Sequence, residues 1–179
     1  YLGAQASLLA TDSGGQSFDE CLSLVWWQLQ QRFGKRFPIP LGSVSVTVEL
    51  RGQADVSHEL ASKDSQAILD YLTHAGVIEG PAAALPPLPH PATPLAAVEP
   101  VSAPLGGLLV YHVRPGQHLE AGQLIAEVID PLTDRVTAVR NSQPGLLYAR
   151  SVRRMATAGM VIAHVAGEQV CRSGYLLAN

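Results

Sequence analysis

The 179-residue chain carries a formal net charge of -3, a pI near 6.0, and 47% hydrophobic against 15% charged residues. That composition is globular, with apolar material for one domain or two small ones, and it excludes a nucleic-acid binder held by phosphate contacts. Two cysteines, Cys21 and Cys171, exclude a disulfide framework and a Cys-x-x-Cys metal site and read as reduced thiols of a cytoplasmic protein. No apolar run approaches the ~20 residues of a membrane helix, so no membrane partner is expected.

The chain opens at Tyr1 within what reads as folded sequence, as the C-terminal part of something longer. Residues 1–80 have an α/β pattern. Ser17-Phe18-Asp19-Glu20 fits a capping box in which Glu20 reaches back to Ser17. Leu22, Val25, Trp26, Leu29 and Phe33 then recur at helical spacing, predicting a helix over 17–33 that stops at Gly34. After Pro38 and Pro40, residues Ser43 to Gln53 alternate with a period of two, the pattern of a strand with one apolar face. Its polar face is small at Ser43, Ser45 and Thr47 and then ends in Glu49. On an exposed strand Glu49 is an ordinary surface charge, and alternation alone favours that. At the carboxyl edge of a buried sheet it is a candidate catalytic carboxylate. A second helix is predicted over 63–75, with Ile68, Tyr71, Leu72 and Ala75 on one stripe and Gly76 as its stop.

Residues 81–100 form a Pro/Ala-rich linker containing Pro86, Pro87, Pro89, Pro91 and Pro94, a composition that favours extended polyproline II. Residues 101–166 contain an internal repeat. Val101-Ser102-Ala103-Pro104-Leu105-Gly106-Gly107-Leu108-Leu109 aligns with Val139-Arg140-Asn141-Ser142-Gln143-Pro144-Gly145-Leu146-Leu147, and Ala121–Val128 aligns with Ala158–Val165. The two halves give short strands broken by glycine, a small all-β unit. Residues 167–179 are a tail.

The half-repeat resembles the biotinyl/lipoyl-like barrel through Val101, Ala103, Pro104, Gly107, Val113, Gly116, Leu119, Gly122, Gln123, Ile125 and Ala126. In such carriers a lysine at the hairpin between the halves is modified. Here that hairpin is Asp130-Pro131-Leu132-Thr133-Asp134-Arg135, and no lysine follows Lys63. An arginine cannot form the amide, so carrier function is excluded.

The order of Thr47-Val48-Glu49-Leu50-Arg51-Gly52, a helix, a proline-rich link and a lysine-free barrel resembles the C-terminal portion of the succinylglutamate desuccinylase/aspartoacylase family. Asp12-Ser13-Gly14-Gly15 through Phe18-Asp19-Glu20 adds to the likeness. The resemblance implies the C-terminal part of a zinc carboxypeptidase-like α/β domain followed by a lipoyl-like all-β barrel. It implies a zinc-dependent hydrolase cleaving an amide bond of an N-acyl amino acid or peptide, with Glu49 as general acid/base. Zinc ligands are expected N-terminal to this chain, in the half of the catalytic domain that would be its partner.

The chain has no His-x-x-Glu, and His58-Glu59 has the wrong spacing, since neighbours on a strand point to opposite faces. The histidines at 58, 74, 90, 112, 118 and 164 read as scattered structural or solvated residues. Arg51 reads as a surface arginine. Tyr111 and Tyr148, at matching strand positions in the two halves, read as packed tyrosines. The alternative is a non-enzymatic binding or adaptor module, although no sustained heptad of an adaptor coiled coil is present. A homo-oligomer stays open. The isolated chain is expected neither to hold zinc tightly nor to hydrolyse amides.

Overall fold

A computed structural model describes residues 1–15 and 17–177. They fall into two compact units, a smaller one of Tyr1–Gln5 with Val46–Pro91 and a larger one of Ala6–Ser45 with Ala92 onward. The larger unit begins with the short strand β1 (Leu8–Leu9) and helix α1 (Phe18–Phe33). The helix starts and stops where the periodicity places it, with Gly34 as C-cap. Glu20 reaches back to Ser17 and takes a second grip as well. Ser17 makes no side-chain bond to a backbone N–H of the first turn, and its hydroxyl donates to Asp19 at 2.7 Å and to Glu20 Oε2 at 3.4 Å. The Glu20 carboxylate is buried and also accepts from the Ser13 backbone N–H at 3.1 Å and from the Ser13 hydroxyl. A carboxylate bonds the best donors within reach, and the folded loop offers Ser13. Residues beyond the helix run back along it: Gln30 donates to the Ile39 carbonyl, Ser43 to the Leu22 carbonyl, and Gly42 lies against the Trp26 ring.

In the smaller unit, helix α2 (His58–His74) begins five residues before the predicted position. Ser57 is the reason, because its side chain accepts from the Leu60 N–H and caps the first turn. His58 and Glu59 are therefore helical residues rather than strand neighbours. Gly76 follows the C-cap Ala75 with φ of 74°, the left-handed turn glycine adopts at no steric cost. Only Ala67 of this helix is buried, and Ile68 and Tyr71, predicted to pack, are 48% and 55% exposed.

The segment Ser43–Gln53, predicted as a strand, forms none and has no ladder partner among the described residues, and its last residues turn. Val44, Val46, Val48 and Leu50 are 81%, 74%, 46% and 49% exposed. Period-two alternation specifies which side chains share a face, whereas a strand also needs a neighbouring backbone to bond. The only parallel pairing in the described residues is the two-residue ladder of β1 with β2 (Thr93–Pro94).

After a short 3₁₀ turn at Leu95–Ala97 come β3 (Val98–Ser102), β4 (Gly107–Tyr111), β5 (His118–Leu119) and β6 (Leu124–Ile129). The second half follows as β7 (Val136–Arg140), β8 (Gly145–Arg150), β9 (Met155–Ala156) and β10 (Val161–Gly167). One antiparallel sheet has the order β3-β10-β8-β5 and the other β7-β6-β4-β9. Replacing each strand of the first sheet by its repeat equivalent yields the second sheet in the same order. The residue missing from the second half lies in the β8–β9 connection.

The expected barrel is thus two separate four-stranded sheets, with no ladder closing one onto the other among the described residues. One buried cluster draws on both, including Leu109, Ile125 and Val128 of one and Leu147, Ile162 and Val165 of the other. Matched glycines set the close strand approaches. A Cβ on Gly107 would lie 2.4 Å from the Ile129 carbonyl oxygen, and one on Gly145 would lie 2.4 Å from that of Ala166. The hairpin between the halves is held by Asp130, which accepts from the Leu132 N–H and the Thr133 hydroxyl at 2.9 and 2.8 Å.

Two outcomes test this packing. Gly145→Ala should lower unfolding free energy in denaturant titration by roughly 1–3 kcal/mol, whereas Gly106→Ala, whose Cβ would meet nothing nearer than 3.5 Å, should stay within about 0.5 kcal/mol. The Leu132 N–H, followed by the Thr133 hydroxyl, holds the Asp130 carboxyl below the usual carboxylate range. A depressed folded pKa adds stability that is present above the unfolded value and is lost as pH falls through the folded one. NMR titration should therefore place Asp130 below the ordinary aspartate value, and Thr133→Ala should move it up.

Candidate active-site carboxylate

Glu49 lies in the segment Ser43–Gln53, within the smaller unit, exposed to solvent. The chain turns sharply after it. The Arg51 N–H donates to the Glu49 carbonyl at 3.1 Å, and Arg51 adopts a left-handed φ of 59°, a conformation that is strained for a residue with a Cβ. Two carboxylates fix this turn. Arg51 is ion-paired through Nη2 with Asp64 of α2, and the Gly52 N–H donates to Asp55 Oδ2 at 3.0 Å. The surface arginine of the sequence reading is thus a tether from the Glu49 segment to α2. On helical spacing alone Asp64 is one more polar residue, and no sequence signal marks it as the partner of Arg51.

The histidines are dispersed. His58 and His74 sit at opposite ends of α2, and His74 lies 5.7 Å from the Tyr1 ring centroid. In the sandwich, His112 Nε2 pairs with Glu127 Oε2 at 2.9 Å. Among the described residues no group of three or more His, Cys, Asp or Glu could hold a metal ion. The residues present do not fit a zinc centre by themselves. Also among them, no helix is long and apolar enough to cross a membrane.

Tyr111 and Tyr148 are not structural equivalents. Strands β4 and β8 align in the repeat with an offset of 38, which matches Tyr111 to Ala149 and Tyr148 to Val110. Successive strand residues face opposite sides, so a one-residue slip separates the two rings. The Tyr111 hydroxyl donates to the Ile162 carbonyl at 2.9 Å, and the Tyr148 ring lies 5.8 Å from that of His164.

An exposed carboxylate before a tethered turn, a following helix and a duplicated two-sheet sandwich define a mixed helix-and-sheet chain with an appended all-β part. Its fold is that of the C-terminal portion of succinylglutamate desuccinylase/aspartoacylase proteins. Such a protein from Shewanella amazonensis superposes with a TM-score of 0.70 at 23% identity, over 85% of this chain and 43% of that one. One from Shewanella frigidimarina gives 0.70 at 24% identity, over 86% and 42%. The apo ectoine utilization protein EutE from Ruegeria pomeroyi gives 0.66 at 20% identity, over 93% and 48%. The chain therefore spans less than half the length of these solved structures. No protein-family model and no curated protein matches the sequence.

The tether has a measurable consequence. Arg51→Ala and Arg51→Gly both lose the Asp64 pair, but only glycine relieves the left-handed backbone. The glycine variant should be the more stable by roughly 0.5–1 kcal/mol in chemical denaturation, the left-handed penalty less the chain entropy that glycine adds.

Proposed function

We propose that the chain is the C-terminal portion of a deacylase that hydrolyses the amide bond of an N-acyl amino acid, with Glu49 as its general acid/base. The observation that carries this reading is the order of parts along one chain. Thr47–Gly52, helix α2, the proline-rich run and the two-sheet sandwich follow one another within a fold shared with succinylglutamate desuccinylase/aspartoacylase structures.

Amide hydrolysis needs a base that takes a proton from the attacking water and returns it to the leaving nitrogen, worth typically about 10²–10⁴-fold in rate. Glu49 is exposed and acidic, and the Arg51–Asp64 tether fixes the turn immediately behind it. In this reading the backbone of residues 46–50 pairs with a strand from an N-terminal part of the same domain, and the exposed side chains of Val46, Val48 and Leu50 are covered by another layer of it. Zinc, if the whole enzyme uses it, would have its ligands in that part. The sandwich, lipoyl-like in its half-repeat but without a lysine at Asp130–Arg135, would serve as an accessory domain rather than a carrier.

The test is Glu49→Gln in the full-length protein, assayed on succinylated and acetylated amino acids. The variant should keep its melting temperature within a few degrees, as expected for an isosteric change at an exposed site, and lose about 10²–10⁴-fold in kcat. Retention of activity within about tenfold would remove Glu49 from the proton-transfer role.

A further inference from the structure

We propose that a groove in the sandwich beside Tyr111 binds a small oxyanion, a carboxylate or phosphate group, through the guanidinium groups of Arg150 and Arg154. The groove has a volume of about 440 Å³ and is lined by residues 109–114 of β4 and the following turn, together with these two arginines. The Arg150 and Arg154 guanidinium carbons lie 4.9 and 5.5 Å from the centroid of the same Tyr111 ring. Stacking on an aromatic face orients a guanidinium while leaving its in-plane N–H donors available.

The cluster is built and anchored. The Tyr111 hydroxyl is tied to the Ile162 carbonyl, and Arg150 Nη1 donates to the Val113 carbonyl at 2.6 Å. One Arg150 donor is thereby used, and a guanidinium carries five. Neither Arg150 nor Arg154 is ion-paired among the described residues, and Arg114 adds a third positive charge to the lining. The acidic group paired nearby, Glu127, is engaged by His112. Two cations gathered on one ring with no protein carboxylate between them repel each other, and an anion in the groove offsets that repulsion. Burial raises the Tyr111 phenol above its ordinary value, with the two arginines opposing it, so the ring is a neutral platform at physiological pH.

The duplication supplies an internal comparison. Core positions recur in both halves: Leu109 with Leu147, Ile125 with Ile162, Val128 with Val165, and Gly107 with Gly145. The cluster does not recur. Tyr111 corresponds to Ala149, Arg150 to His112 and Arg154 to Gln117. The equivalent place, formed by Ala149, His112 and Gln117, has the same strands around it without these residues, so the fold does not require them. Their presence at one of two equivalent places points to a ligand.

The purified 179-residue chain is titrated calorimetrically with sodium succinate and, separately, with inorganic phosphate at low ionic strength. Saturable binding of at least one probe is expected, weakening as salt is added, and the tighter probe identifies the oxyanion class. Arg154→Ala should weaken that binding at least about tenfold, as expected for loss of a charge-assisted bidentate contact. Arg153→Ala, a neighbouring exposed arginine outside the groove, should leave it unchanged. Arg154 is itself exposed, and unchanged circular dichroism separates lost binding from lost fold. No saturation by either probe up to about 10 mM, or equal weakening by the two substitutions, overturns the proposal. Neither result bears on Glu49, which lies in the other compact unit.

Discussion

The sandwich depends on strand exchange between its two half-repeats. Strands β3 and β5 of the first half sit at the edges of a sheet whose centre is β10 and β8 of the second, and β7 and β9 flank β6 and β4 in return. Each half therefore completes its hydrogen-bond ladders only on the other. The same interlock places residues of both halves in one buried cluster, where Ile125, Leu147, Ile162, Val128 and Val165 lose essentially all contact with water. Fully burying side chains of this size contributes about 1.5–3 kcal/mol each. Sheet pairing and burial reinforce each other, since neither half can bury its apolar face alone.

Close approach is the geometric condition for that burial. Gly107 and Gly145 occupy matched positions where a methyl group would press into the partner strand's carbonyl, and Gly122 and Gly159 take matched left-handed turns with φ of 75° and 80°. The backbone bonds at these turns are matched as well: Gly122 donates to the Asn141 carbonyl and Gly159 to that of Ala103. Against so regular a frame, one departure stands out. Tyr111 with its two arginines occurs once and not twice.

The smaller unit follows a different logic. Its best-defined interactions are local: the Ser57 cap, the left-handed Gly76, and the Arg51–Asp64 and Gly52–Asp55 contacts that shape the turn after Glu49. Its apolar residues are comparatively uncovered. Local bonds form wherever donor and acceptor are close in sequence, but an apolar face is buried only when another element supplies the surface. The exposed side chains of Val46, Val48 and Leu50, on a segment with no ladder among the described residues, are the visible result. That is also why Glu49 is proposed as a site residue on the order of motifs around it and not on its own surroundings.

By itself the sequence determined the duplication, both helices, the glycines that end or turn them, and the absence of a carrier lysine. Each of these is a short-range pattern or a matched pair of patterns, legible without knowing what lies across the fold. Tertiary structure alone decided that Glu20, besides meeting Ser17, binds Ser13, because a carboxylate bonds every good donor the fold brings within reach. It alone set the interleaved strand order and the two open sheets, since ladder partners are chosen across the half-repeat and not along it. It likewise gathered Arg150 and Arg154 onto Tyr111, residues some forty positions apart in sequence. No spacing rule reaches across that distance; antiparallel pairing of β4 with β9 carries β9 and its approach to Tyr111's strand.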